Sequence, residues 1–393
     1  MSDEPPPSPE DVDVLDSGQG GPRRPSLVGA IVAACCLIVV AVAVVRAYGD
    51  RDPASAPPNS PSPSAPSEPA VPRPTVVPSF EDVLTRTVEL SWLGAGTDYS
   101  VFVRTGAALS DGDSGVYQLD PRHDRVVSHR VPALASTGPL SFVPVSGGVL
   151  VRPIDQVPGY FVPDDAPVMG TGNVGGIVLP GPDDRHVWIP TANGSHLDLV
   201  GAVDHHSTGT TITVPSGMYP MQLTPDGHGY LLGPRDDGLY DLRPQGAVRV
   251  ADGALIAVGP TRVLAANCSD QEDCAPVLLN SNFTPVAPQP PLRSQGSVSS
   301  NGVISPDGKV AALLGAQGGP IVLVDLATGG LRYLKVQVAG YMSAQVAFSP
   351  DSKWLFVVGA DHRAYAAEVA TRQVRPLLPG VRGVAQLTVR PAA

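Results

Sequence analysis

Lysine is nearly absent from this chain: Lys309, Lys335 and Lys353 are the only three in 393 residues, and no segment forms a basic patch. With a net charge of −11, the chain has no face suited to a nucleic-acid backbone, which needs clustered cations. Charged residues make up only 16% and aromatics 5%. After residue 80 no stretch keeps a 3.6-residue apolar period for three turns, which excludes a helical bundle. There is no G-x-S-x-G, no H-E-x-x-H, no P-loop and no Cys–His pair in a plausible setting, so the enzyme classes those motifs mark are not indicated.

One apolar run is present. Residues 27–45, LVGAIVAACCLIVVAVAVV, carry no charge and lie between Arg23/Arg24 and Arg46/Arg51. As a helix they rise about 28 Å, close to the thickness of a bilayer core. A cleaved signal would have a shorter core and a small-residue cleavage site. Val32–Cys35 has the look of a lipobox, but the residues after Cys35 stay apolar. Arg23-Arg24 is followed by Pro-Ser-Leu, a poor match to a twin-arginine signal. The preferred reading is one uncleaved transmembrane helix over residues 27–46, with Cys35 and Cys36 inside it. Arginines flank both ends equally, so the positive-inside count does not orient it.

The flanks divide the remainder. Residues 1–26 are acidic and Pro-rich and are expected to be a disordered cytoplasmic tail. Residues 47–79 form a Pro/Ser-rich linker, with ten prolines between 49 and 79. In polyproline II, at about 3.1 Å per residue, it spans up to roughly 90 Å. Residues 80–393 form the folded domain. Cys268 and Cys274, five residues apart in CSDQEDC, are expected to form a disulfide, which suits an extracytoplasmic compartment. Heavy use of Ala, Pro, Gly and Val, with arginine over lysine, resembles proteins of high-GC bacteria such as actinobacteria.

The folded domain repeats. Thr224-Pro225-Asp226-Gly227, Ser305-Pro306-Asp307-Gly308 and Ser349-Pro350-Asp351-Ser352 share a motif, and Gly181-Pro182-Asp183-Asp184 is a weaker copy. The aspartates are spaced by 43, 81 and 44 residues, the middle gap being about two units. Val324-Asp325-Leu326-Ala327-Thr328-Gly329 returns 43 residues later as Ala367–Arg372. Proline presets φ, Asp bonds its own backbone and Gly accepts positive φ, so both motifs read as turns between short strands. Four short strands per unit of about 43 residues is the pattern of a β-propeller blade. The expected fold is all-β, with about seven four-stranded blades. Val88–Leu93 is expected to pair with the last blade and close the ring.

The Ser-Pro-Asp-Gly turn followed by a strand resembles the TolB-type and WD-repeat propeller families, over about residues 177–393. The Trp-Asp and Gly-His signatures of true WD repeats are absent. The resemblance implies a rigid ring with variable loops about a central channel.

Candidate site residues are few. Asp204-His205-His206 suggests a ligand or metal pair, but neighbours on a strand point to opposite faces, and a polar loop is the preferred reading. Asp111 and Asp113, in DGDSG, have the alternation of a Ca²⁺ loop without the Glu at the twelfth position. Asp164-Asp165, Asp183-Asp184 and Asp236-Asp237 read as turns. Tyr160 and Phe161, in the irregular-looking PGYFVPDD, are the best aromatic candidates for a ligand contact, although core packing is the favoured reading for both. Trp188, Trp354, Tyr341 and Phe348 read as packing residues.

No catalytic residue, metal ion or cofactor is expected. The preferred reading is a membrane-tethered extracytoplasmic propeller that binds a protein, a cell-wall polymer or a small ligand, with no nucleic-acid partner. The alternative is a lyase or hydrolase acting on a sugar or peptide in the central channel.

Overall fold

A computed structural model describes residues 84–94, 98–106, 114–131, 140–153, 159–171, 177–191, 194–233, 238–268, 274–289, 291, 302–314, 319–338 and 345–391. The apolar run, its flanking tail and linker, Asp111, Asp113, Asp236, Asp237 and Tyr341 lie outside these residues. Among the described residues no helix is long and apolar enough to cross a membrane.

The domain is all-β. Sheet A holds Leu84–Thr87, Tyr99–Thr105, Ser114–Asp120, Arg125–Val131 and Val384–Pro391. Sheet B holds Leu140–Val145, Gly148–Pro153, Gly159–Pro163 and Met169–Thr171. Sheet C holds Leu179–Pro180, His186–Pro190, His196–Gly201 and Ser207–Thr213. Sheet D holds Tyr219–Leu223, Tyr230–Gly233, Leu239–Arg243 and Gly246–Ala251. Sheet E runs from Leu255–Val258 through Leu331–Gln337 with seven strands, and sheet F holds Val346–Phe348, Trp354–Val358, Ala364–Glu368 and Val374–Pro376.

The inner strands of a sheet bury both faces, one against each neighbouring sheet, whereas outer strands such as Ser207–Thr213 and Gly246–Ala251 are largely exposed. In Trp354–Val358, Trp354, Phe356 and Val358 pack toward sheet A, while Leu355 and Val357 pack toward sheet E. This follows from the two-residue side-chain period, and it is why the segment reads as an unbroken apolar run. Apolar clusters fill the A–B, B–C, C–D, D–E, E–F and F–A interfaces in turn. A further cluster lies between the first and second halves of sheet E. The fold is a β-propeller.

The expectation of about seven separate four-stranded blades is corrected. Five sheets stand as separate blades, and the chain from 255 to 337 forms one seven-stranded sheet. Its halves join where Ala257 and Val258 pair in parallel with Gly302 and Val303. Small residues permit this approach: a Cβ on Gly302 would lie 2.5 Å from the Ile256 carbonyl oxygen and 2.9 Å from Ala257 Cβ.

Ring closure also differs from expectation. Val384–Pro391 pairs antiparallel with Tyr99–Thr105, so the C-terminal strand completes the first sheet. Val88–Leu93 instead runs into a short 3₁₀ turn at Ser91–Leu93, with Leu90 and Leu93 buried between sheets A and F. Cys268 and Cys274 face each other on paired strands and are disulfide-bonded.

The repeated turns are hydrogen-bonded boxes. The Ser305 hydroxyl donates to Asp307 Oδ1 (2.7 Å) and accepts the Val310 N–H (3.0 Å), while Asp307 Oδ1 accepts the Lys309 N–H (3.1 Å). Ser349 and Asp351 repeat this arrangement with the Trp354 and Lys353 N–H groups. Thr224 and Asp226 do so with the Gly229 and His228 N–H groups. The fourth residue has positive φ in all three, 76° at Gly227, 70° at Gly308 and 62° at Ser352. Glycine meets that demand freely; Ser352 meets it at some cost.

Candidate binding cleft between sheets A and B

Strand alternation assembles the site. Ser100, Asp120, Arg125 and Arg390 stand in one row across sheet A, because Asp120 pairs with Arg125 and Ser100 with Arg390. Gln118 and His129 lie on the same face, deeper in the sheet. Opposite them is the turn after Gly159–Pro163, which carries Asp164 and Asp165. Together with Asp98, Arg122, His123, Asp184 and the Ser146-Gly147 hairpin, all of these but His129 line a cleft of about 300 Å³.

The cations in this cleft are engaged. Arg390 holds Asp164 at 2.6 Å, donates to the Val145 and Gly148 carbonyls at 3.0 and 3.2 Å, and covers the Phe102 ring at 5.0 Å. Arg125 meets Asp165 at 2.8 Å and Asp120 at 3.8 Å. His123 shares a hydrogen bond with Asp120 at 2.7 Å, and Arg122 meets Asp98 at 3.3 Å. Arg390 joins three parts of the ring at once: its own closing strand, the sheet B hairpin and the Asp164 turn.

Two buried acceptors here lack a donor. Gln118 is 3% exposed, and among the described residues its Oε1 has no hydrogen-bond partner; neither has Asp164 Oδ1. His129, also buried, is held below its ordinary pKa by burial, against the pull of the Asp164 carboxylate and carbonyl and of Asp165. It is therefore neutral at pH 7. Among the described residues, no group of three or more His, Cys, Asp or Glu is placed to hold a metal ion.

The residues singled out from sequence lie elsewhere. PGYFVPDD is not irregular: Gly159–Pro163 is a strand with every residue buried. Tyr160 packs between sheets A and B and Phe161 between B and C, so neither ring is a surface contact. His205 and His206 sit on the turn that follows His196–Gly201, not on a strand. His205 has φ +54°, and burial, with the Arg152 charge, pushes its pKa down to about 4 against the opposing pull of Asp204. His206 is exposed, its N–H bonded to Asp204 Oδ1 at 3.0 Å. Trp188, Trp354 and Phe348 are buried, as expected. Of the cleft residues only Asp164, Asp165 and Asp184 stand out in the sequence, and there as turn residues. The available signal was LDPRHDR at 119–125, a dense cluster of charge in a chain with little of it.

No family model matches the chain, and no curated protein matches it. Among solved structures it is similar to TolB from Acinetobacter baumannii, at 13% identity and a TM-score of 0.44, over 74% of this chain and 66% of TolB. It is also similar to the hydrazine synthase of Kuenenia stuttgartiensis, at 14% identity and a TM-score of 0.43, over 60% of this chain and 78% of that one. These likenesses are distant and assign neither an activity nor a partner.

Several shifted groups act together on acid stability. For Asp226, burial pushes the carboxyl up, but the Arg243 guanidinium, the His228 N–H and the Thr224 hydroxyl outweigh it and hold the pKa at about 2. Asp307 and Asp351 are lowered in the same way, burial being outweighed by their serine, lysine and backbone donors. A carboxylate lowered in the folded state contributes stability above its unfolded pKa of about 4, and that stability is lost as pH falls through the folded value. His129 and His205, also lowered, stay neutral in the fold while the unfolded chain takes up protons below about pH 6.5. Both effects favour unfolding in acid. The urea midpoint should fall modestly from pH 7 to 5 and steeply from pH 4 to 2. A midpoint independent of pH over that range would refute the assignment.

Proposed function

We propose that this chain is a single-pass membrane protein whose propeller lies outside the cytoplasm and serves as a binding module for a protein or cell-wall partner. The observation that carries this reading is the disulfide within the propeller, Cys268–Cys274, on a chain whose residues 27–45 form a 19-residue apolar run. A disulfide persists in an oxidising compartment, and the apolar run with its Pro-rich linker supplies an anchor and a spacer. A rigid ring with loops at its rims suits presentation of a surface. Most charged groups of the A–B cleft are paired with one another, an arrangement better suited to holding a ligand than to exchanging protons.

Proteinase treatment of intact cells tests the orientation. The propeller should be cleaved in intact cells, and Cys268 and Cys274 should resist alkylation until reduced. A propeller protected until lysis, with alkylatable cysteines, would overturn the reading. Cross-linking on native membranes should then recover a protein or wall fragment covalently joined to residues 80–393.

A further inference from the structure

We propose that the cleft between sheets A and B binds the ammonium or guanidinium group of a lysine or arginine side chain presented by a partner peptide. This rests on reading the domain as a binding module, and it names the chemistry of the partner.

Charge is the first argument. Five aspartates and three arginines line the cleft, an excess of two carboxylates over guanidinium groups. Low-dielectric walls focus such a field onto an incoming cation. An anion would be poorly served, because Arg122, Arg125 and Arg390 already hold Asp98, Asp165 and Asp164. To bind an anion they would have to release those carboxylates.

Hydrogen bonding is the second and independent argument. Gln118, 3% exposed, is one of the residues lining the cleft, and its buried Oε1 has no donor among the described residues; Asp164 Oδ1 likewise has none, while the other oxygen takes Arg390. Buried acceptors left empty are costly. Lysine brings three N–H donors and arginine five, with no acceptor to compete. Arg125 Nε is a buried donor without a partner, and a peptide carbonyl would satisfy it where a free amine would not.

Size is the third. A volume of about 300 Å³ is roughly that of ten waters, room for one long side chain with a few waters but not for a folded segment.

The test is thermal unfolding of the full chain in lipid nanodiscs. Ac-Ala-Lys-Ala-NH₂ and Ac-Ala-Arg-Ala-NH₂, at up to a hundredfold excess over Kd, should raise the melting temperature. The acetyl-lysine and glutamate peptides should not, and methylammonium chloride should give a much smaller rise. Gln118→Met removes the empty acceptor at similar volume. It should raise the melting temperature of the free protein and abolish the peptide-induced rise. Asp165→Lys changes an exposed residue and should keep the fold while weakening the peptide at least tenfold.

Equal shifts with charged and neutral peptides, no shift with any, or a shift that survives both variants would each overturn the proposal. A full shift with methylammonium would overturn the peptide as source. If native membranes yield a cross-linked partner while the peptides give no shift, the cleft assignment fails and the binding-module reading stands. If the propeller is protected inside cells while the basic peptides still shift it, the reverse holds.

Discussion

Removal of residues 384–393 should leave a chain with no cooperative unfolding transition. Val384–Pro391 is the last strand in sequence but belongs to the first sheet, paired along Tyr99–Thr105 from Tyr99↔Pro391 to Thr105↔Val384. Its loss removes the ladder hydrogen bonds along Tyr99–Thr105, each worth about 0.5–1.5 kcal/mol net. It also removes Val384 and Leu387, both fully buried between sheets A and F, at about 1.5–3 kcal/mol each. Arg390 leaves with it, so Asp164 and the Val145 and Gly148 carbonyls lose their donor. The sum equals or exceeds the 5–15 kcal/mol that holds a typical domain folded. The far-ultraviolet circular dichroism of the truncated chain should show little strand signal and a broad, shallow response to urea. A control that removes only residues 392–393 should unfold like the full chain. If the 384–393 deletion unfolded with the same midpoint and slope as the full chain, ring closure would not be what holds this domain together.

The contrast between what was legible and what was not follows from the range of the interactions. The Ser-Pro-Asp-Gly turns were readable because their hydrogen bonds stay within five residues, as from Ser305 to Val310 or Ser349 to Trp354. The Cys268–Cys274 pairing was readable for the same reason. Sheet E was not, because the contact of Ala257 with Gly302 spans 45 positions and depends on close backbone approach rather than on a periodic pattern. The segment around Tyr160 and Phe161 reads as irregular because Pro158 and Pro163 bracket it, although the favoured core packing of both rings is what the structure has. Here Pro163 only ends the strand. The cleft was least legible of all. It draws on residues from Asp98 to Arg390, and only ring closure brings Arg390 to Asp164. Asp164-Asp165 is a turn, as read, and the same geometry that makes it a turn points it across the cleft at Arg390 and Arg125.

Trp354→Ala should destabilise the domain by about 3–5 kcal/mol, the usual cost of deleting a buried aromatic side chain. Trp354 is 5% exposed, and its ring meets Trp92 edge-on, with centroids 5.2 Å apart and planes at 81°. Its indole N–H donates to the Leu93 carbonyl at 2.8 Å, which ties the segment ahead of the first long strand to the last sheet. Phenylalanine separates these contributions. Trp354→Phe keeps most of the packing and leaves the Leu93 carbonyl without its donor. Trp188→Phe makes a similar loss of volume in the cluster between sheets C and D, but Trp188 Nε1 has no partner to lose. Trp354→Phe should therefore cost at least about 1 kcal/mol more than Trp188→Phe, because it loses a buried hydrogen bond whereas Trp188→Phe removes a buried donor that has no partner among the described residues. Urea midpoints of the three variants, read by the fluorescence of the remaining tryptophans, give the comparison directly. Equal losses from the two phenylalanine variants would mean that the bond to Leu93 contributes nothing. The N-terminal segment would then be held by Leu90 and Leu93 alone, through their burial between sheets A and F.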